Sequence, residues 1–405
     1  MNKRHILVAN VFFAPFTYGG ATIVAEELAK ALVARGDYRV TAVSLCTRAD
    51  LETYTVIKSE RDGIINYVIN VPQHRSYHEM YNNPQVTALL GELMDGLHPD
   101  LVHAHCVQDI GTGVLQAAHA RDIPIVLSVH DFWWICERQF MIRPDGSYCG
   151  QSPVRIDACR GCASDMGAAR ARFDHLRMMG ALASCVTYPS QFALELVSSS
   201  GFAPGRGVVL KNGVRLPGLD YSDARAVRLA QDQRLTFGFV GGPSQIKGWP
   251  TIRAAFQMLE REDFRVLLVD GSRDGTWWTS AHTKGLKGDW HIYPRFEQAD
   301  MDAFYAQIDV LLFMSQWKET FGLAIREALA RGVDVIQTDS GGTTENAAAC
   351  KANLIPIGAP ASVLQERLAA AMAEHPKRAN RRQVDGYADQ ARAFHQIVED
   401  VLVAA

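Results

Sequence analysis

The sequence predicts an α/β protein of two doubly wound domains facing each other across a cleft. Three observations carry that prediction. Short apolar runs alternate with amphipathic segments along the chain, the pattern of parallel sheets covered by helices on both faces. The alternation restarts after a stretch rich in glycine, charge and turn residues between Asn212 and Asp232. A length of 405 residues is long for one domain and comfortable for two.

In the N-terminal half, the runs HILVANV, RVTAVSLC, IINYVINV, LVHAHC, IPIVLSVH and SCVTYPS are expected as strands. Between the first two lies ATIVAEELAKALVARG, with apolar positions at helical spacing and Gly36 as its C-terminal stop. The second half restarts with LTFGFVGG and a helix from about Trp249 to Glu260. It continues with FRVLLVDG, WHIYPRF, VLLFMS, VDVIQTD and NLIPIG as strands. The expected domains are 1–215 and 216–385, with a C-terminal helix over 386–405 packing back on the N-terminal domain. In such sheets ligands bind outside the carboxyl ends of the strands, so the loops that follow strands are the places to search.

Composition sets the outer bounds. A hydrophobic content of 48%, 21% charged residues and a net charge of −3 describe a globular protein without the basic balance that nucleic acid would demand. No apolar run reaches the roughly 18 residues of a membrane span. The start, MNKRHILVANVFF, has the charge and apolar stretch of a signal peptide, yet it runs into PFTYGG without a cleavage site and reads as a first buried strand. The expectation is a cytoplasmic protein, with any membrane contact peripheral and at the inner face of the cell membrane.

The run SQWKETFGLAIREALARG is the most informative in the chain. It sets Glu319 and Glu327 eight positions apart, one in a strand-to-helix loop and one inside the following helix. The amides of Thr320, Phe321, Gly322 and Leu323 lie between them, at a helix start that favours an anion. Two hydroxyl-binding carboxylates around a phosphate-binding turn suit a nucleotide sugar. The plainer reading is a solvated loop acid and a helix-dipole acid. Lys247, in GGPSQIKGWPTI, stands between a strand and a helix, the place for a phosphate-binding cation; Gly241 and Ser244 precede it in the same loop. Gly19 and Gly20 follow the first strand and let backbone approach a ligand, or simply form a tight turn. They do not make the G-x-G-x-x-G dinucleotide fingerprint. His130 ends a strand and points toward the ligand crevice; His105 ends the preceding one and reads equally well as structural.

Taken in order, the YGGA loop, the HAH and VHD strand ends, KNGV, FVGG with KGW, and SQWKETFGLAIREALARGVDVIQTDSGGTTE resemble family 4 glycosyltransferases, the retaining "group 1" enzymes of GT-B architecture with two Rossmann-like domains. The resemblance covers nearly the whole chain. It implies that Glu319 holds hydroxyls of the donor sugar and Glu327 those of the ribose, with Phe321, Gly322 and Leu323 along the diphosphate. It implies that His130 binds a hydroxyl of the transferred sugar and that Lys247 serves the leaving phosphate. Asn212 and Gly213 match the interdomain turn. Many relatives carry an arginine after the strand glycine where this chain has Gly242-Pro243-Ser244; Ser244, the Gly241–Gly242 amides or Arg295 are the candidate substitutes. The implied activity is transfer of a sugar from a nucleotide-diphosphate donor to a saccharide or lipid-linked acceptor in cell-surface polysaccharide assembly, with no cofactor needed for catalysis. An epimerase, a sugar phosphorylase or a non-catalytic nucleotide-sugar-binding protein are the alternatives on the same architecture.

Two further clusters stand apart. Cys136, Cys149, Cys159 and Cys162 share one loop-rich insertion, with spacings that suit a structural zinc or a set of reduced thiols. Cys46, Cys106, Cys185 and Cys350 fall in or beside apolar segments and are expected as buried thiols. Arg155, Arg160, Arg170, Arg172 and Arg177, followed by Met178 and Met179, could face anionic lipid, an acceptor diphosphate or plain solvent.

Overall fold

The computed structural model describes residues 3–17, 19–346, 349, 353–375 and 381–404. The chain divides into two compact units. One comprises 1–141, 150–213 and 385–405; the other comprises 142–149 and 214–384. The C-terminal helix Tyr387–Ala404 therefore belongs to the first unit, and the short segment 142–149 to the second.

The first unit is built on an eight-stranded sheet. Its strands are β1 (Arg4–Ala9), β2 (Tyr38–Cys46), β3 (Val56–Arg61), β4 (Ile64–Asn70), β5 (Leu101–Ala104), β6 (Ile125–Ser128), β7 (Cys185–Tyr188) and β8 (Gly207–Val209). Their order is β3-β4-β2-β1-β5-β6-β7-β8, parallel except for the antiparallel β3–β4 pair. The order reverses direction between β1 and β5, so a crevice opens at the carboxyl ends of these two strands. The helix Gly20–Arg35 covers the sheet through Leu28 and Leu32, which meet Ile6, Val8 and Val40 and are joined by Phe394 and Val398 of the C-terminal helix. The helix Gly20–Arg35 ends on Gly36 in the left-handed region (φ 89°), as expected of a glycine stop.

The second unit carries a five-stranded parallel sheet of β9 (Leu235–Phe239), β10 (Phe264–Val269), β11 (Asp289–Tyr293), β12 (Val310–Phe313) and β13 (Asp334–Gln337), in the order β11-β10-β9-β12-β13. Every residue of β9 is buried, the mark of a strand covered on both faces. Phe237, Phe239, Val266 and Leu268 pack against Ile252 and Phe256 of the helix Trp249–Gln257. This sheet reverses between β9 and β12, which places its crevice at the two loops that carry Lys247 and Glu319.

Three expectations about elements need correction. β3 and β8 were not foreseen as strands. β3 is an edge strand whose sequence, VIKSER, leaves most of one face solvated, and β8 spans three residues. NLIPIG, expected as a strand, contributes one isolated bridge between Thr338 and Ile355; Pro356 has no amide hydrogen to continue a ladder.

Candidate functional site

In the second unit, two loops at the sheet reversal are tied together through their backbones. Gly248 opens the helix Trp249–Gln257 at φ 81°, and a β-carbon there would lie 2.1 Å from the Met314 carbonyl oxygen. Only glycine lets the loop after β9 lie this close to the end of β12. The Gln316 amide donates to the Ile246 carbonyl at 2.8 Å, adding a second tie. Lys247 is thereby brought to Glu319: its Nζ lies 2.8 Å from Oε1 and 5.6 Å from the centre of the Trp317 ring. Ser315 Oγ donates to the same carboxylate oxygen. Glu319 itself is fixed by a parallel bridge to Gly341, its amide donating to Ser340 O and its carbonyl accepting from the Gly342 amide, both at 2.9 Å.

The turn Thr320–Gly322 leads into the helix Leu323–Ala330, capped by Gly322 at φ 78°. A β-carbon on Gly322 would meet Thr343 Cγ2 at 2.9 Å, so this turn and the Gly341–Thr343 turn are in direct contact. Both are gripped from beneath by Arg326, a buried guanidinium lying 3.9 Å from the centre of the Phe321 ring. It donates to the carbonyls of Phe321, of Gly342 (2.9 Å) and of Glu345 (3.0 Å). Burial pushes its pKa down to about 10, which leaves it charged at neutral pH. Because a peptide is planar and trans, a carbonyl pulled inward turns the next amide outward. The N–H groups of Gly322 and Thr343 therefore face away from Arg326.

Glu327 is buried in the same helix. Tyr305 donates its hydroxyl to Oε2 at 3.0 Å and reaches the Ala324 carbonyl at 3.2 Å. Burial raises the Glu327 pKa, opposed by the Tyr305 hydrogen bond and by Arg331, whose guanidinium is fully buried and bonded to the Glu327 carbonyl. Ser244, proposed from the sequence, has a buried hydroxyl oxygen without a hydrogen-bond partner in the structure. Arg295 instead follows the edge strand β11 and approaches Glu297 at 3.8 Å. Sequence reasoning missed Tyr305, Arg326 and Trp277, whose half-exposed indole lies where a β-carbon on Gly242 or Gly271 would sit.

In the first unit, Gly19 caps the helix Gly20–Arg35 at φ 85°, in the loop after β1. His130 follows β6 and meets His105, which follows β5, with His130 Nε2 and His105 Nδ1 2.9 Å apart. His105, left open by the sequence, is thus a direct neighbour of His130. Burial lowers the His130 pKa to about 4. Asp131 next to it accepts from the Trp133 amide and from the Gln108 and Gln139 side chains. Asn212 is buried, and the Gly213 amide donates to Gln390 in the C-terminal helix at 2.8 Å.

Among the described residues, no group of three or more His, Cys, Asp or Glu side chains is gathered as a metal ion would require. The insertion that carries Cys136, Cys149, Cys159 and Cys162 does not fold as one loop: Cys149 closes a small bridged turn belonging to the second unit, while the other three belong to the first. Cys159 Sγ lies 3.8 Å from Gln151 Nε2 and 3.9 Å from the Arg155 carbonyl. Cys106 and Cys185 are buried and Cys46 half-buried; Cys350 lies outside the described residues. Of the five arginines, Arg172 is buried against the Trp133 ring and carbonyl, Arg170 pairs with Asp157, and Arg177 donates to the Gly201 carbonyl. Arg155 and Arg160 are exposed. Among the described residues no helix is long and apolar enough to cross a membrane.

Two Rossmann-like units, each with a parallel sheet that reverses its strand order, define a protein of GT-B architecture. Comparison with known families makes this specific. Residues 18–216 match the model of glycosyltransferase family 4 and residues 220–384 that of glycosyl transferases group 1, and the chain belongs to this family. It is 21% identical to an uncharacterized 42.6 kDa protein in a cps region of Klebsiella pneumoniae, over 84% of this chain and 87% of that one. Among solved structures it is similar in fold to sucrose-phosphate synthase from Thermosynechococcus elongatus (TM-score 0.71, 16% identity, all of both chains). It is also similar to Anabaena HepE in complex with UDP and glucose (TM-score 0.64, 16% identity, 99% of this chain and all of that one).

Proposed function

We propose that this protein transfers a sugar from a nucleotide-diphosphate donor to a hydroxyl of a saccharide or lipid-linked acceptor, with retention of anomeric configuration. The reaction would serve cell-surface polysaccharide assembly on the cytoplasmic side of the membrane. One observation carries the reading: Lys247 and Glu319 meet at 2.8 Å beside the Thr320–Gly322 turn, with Glu327 buried in the helix that follows. A cation for the leaving phosphate and a carboxylate for sugar hydroxyls are thus held within one hydrogen bond of each other. The cps-region name of the Klebsiella relative and the UDP and glucose held by HepE agree with this reading.

In the reaction, the bond between the anomeric carbon and the diphosphate oxygen breaks, and the acceptor oxygen bonds to the same face. The acceptor proton leaves with the diphosphate. Negative charge grows on the leaving group, where Lys247 and the outward amides of the turn stabilise it. Glu327 anchors the ribose, and Glu319 and His130 orient the sugar. The test is incubation with a panel of nucleotide sugars and saccharide or lipid-linked acceptors, with the anomeric configuration of the product read by NMR coupling constants. A product of inverted configuration overturns the retaining mechanism. Isomerised donor formed without acceptor shows an epimerase instead, and binding without any turnover shows a binding protein.

A further inference from the structure

One indole stands over the ends of two neighbouring strands of the second unit. The loop Asp270–Thr279 follows β10 and is fastened from within. The Asp270 carboxylate accepts from the Ser272 amide at 3.0 Å and from the Trp278 amide at 3.4 Å, and the Ser272 hydroxyl accepts from the Thr276 amide at 2.9 Å. Trp278 is buried, donates its indole N–H to the Val269 carbonyl at 2.8 Å and packs edge-on against Trp249. Its neighbour Trp277 stays 41% exposed. The benzo ring of Trp277 lies over Gly242 and Gly271, which stand three residues beyond the paired Phe239 and Leu268. A β-carbon on Gly242 would lie 2.7 Å from its Cε3, and one on Gly271 would lie 2.8 Å from its Cζ3. Glycine at both strand ends is what seats the ring.

Strand order sets what this ring can meet. β9 lies between β10 and β12, so the loop after β9 has the Trp277 loop on one side and the Glu319 loop on the other. Within that loop, a β-carbon on Gly241 would come 3.1 Å from Lys247 Cβ, next door to the glycine that Trp277 covers. Tyr305, which holds Glu327, packs in one apolar cluster with Val269, two residues before Gly271. Along the strand ends the order is therefore Glu319, Lys247, Trp277. Under the proposed function that is sugar, diphosphate, and then the far end of the nucleotide, which is a flat π-system. We propose that Trp277 is the stacking platform for the nucleobase of the donor. This rests on the reading of Lys247, Glu319 and Glu327 as a nucleotide-sugar site. Every base has a π-face, so Trp277 supplies affinity and leaves the choice among bases to hydrogen-bonding groups.

Calorimetry with UDP, CDP, GDP, ADP and dTDP identifies the nucleoside diphosphate that wild type binds. Ribose 5-diphosphate (2-deoxyribose 5-diphosphate for dTDP) is the same ligand without its base. Trp277→Ala should weaken the nucleoside diphosphate by about 5- to 150-fold, the range for one base on one aromatic ring, and leave the base-free ligand unchanged. Trp277→Phe, which keeps a smaller aromatic ring, should fall between wild type and Trp277→Ala. Binding should also quench tryptophan fluorescence more in wild type than in Trp277→Phe. A ring that only shields the glycine turn gives another pattern: Trp277→Ala then weakens both ligands alike, and that result overturns the proposal. Equal affinity of wild type and Trp277→Ala for the nucleoside diphosphate overturns it too, and leaves the donor site standing. Failure of wild type to bind any of the five overturns the donor site itself, and the platform with it.

Discussion

Glu327 offers the sharpest test of the proposed function, which assigns it the ribose hydroxyls. Its Oε2 accepts from Tyr305 at 3.0 Å. A hydrogen bond to a charged group contributes about 1.5–3 kcal/mol, so removing the carboxylate should cost roughly 2–3 kcal/mol of nucleotide affinity, or about 30- to 150-fold in Kd. Calorimetry with the nucleoside diphosphate that the protein binds and its 2′,3′-dideoxy analogue, against wild type and Glu327→Ala, gives a double-mutant cycle that isolates the contact. Wild type should prefer the hydroxylated ligand by that factor, and Glu327→Ala should bind the two alike. A variant that still discriminates between them refutes the ribose assignment. Glu327→Gln adds a second, opposite reading. Burial raises the folded pKa above the ordinary 4.5, so between those two values the native state holds more protons than the unfolded chain. Stability therefore falls as pH rises through that window, and the cost remains at neutral pH. Glu327→Gln removes it, so this variant should bind nucleotide more weakly yet melt higher at pH 7.

Three other expectations follow from the same geometry. Lys247→Ala should lower kcat by about 100- to 1,000-fold, the scale of losing one stabiliser of a developing anion, with a smaller change in donor KM in steady-state kinetics. Arg326→Met should cost about 3–5 kcal/mol in urea unfolding, since it strips the partners from several buried carbonyls, and should weaken nucleoside diphosphate more than nucleoside binding in calorimetry. Acid should destabilise the first unit: burial holds His103 at about 3 against an ordinary 6.5, so the unfolded chain binds more protons below pH 6.5. Stability is then lost as pH falls from 6.5 toward 3, by about 2 kcal/mol from this residue at pH 5, as urea midpoints at pH 7 and 5 would show.

Much of the fold was legible because buried parallel strands are continuous apolar runs. β1, β2, β9, β10 and β12 all announce themselves this way. β3 was hidden because an edge strand need bury little, although Asp62-Gly63 carried the hairpin signal. Both residues take positive φ, 54° and 72°, as a two-residue hairpin turn demands. The candidate site was legible in the sequence where chemistry and chain order coincide, as in the run that carries Glu319 and Glu327 and in the loop that carries Lys247, which the structure brings to Glu319. It was illegible where a partner is remote in sequence: nothing marks Tyr305 as the donor to a carboxylate 22 residues on.

Under the proposed function, Arg326 would offset the absent phosphate arginine by holding the turns assigned to the diphosphate. A cation on the ligand side would attract phosphate directly but would keep its own hydration until binding. Arg326 instead sits beneath the turns, where main-chain carbonyls satisfy its donors in advance. Its charge reaches the far side in two ways: through the field of a buried guanidinium, and through the amides of Gly322 and Thr343 that its grip turns outward. Such dipoles are oriented before the leaving group develops charge, and so cost no reorganisation when it does. Lys arriving at position 326 would keep the charge but could not span both turns, because an ammonium lacks the guanidinium's planar fork. Arg326→Lys should therefore retain the fold better than Arg326→Met, yet lose nucleoside diphosphate affinity comparably. If Arg326→Lys binds as tightly as wild type, charge alone is what matters and the orientation of the amides is incidental.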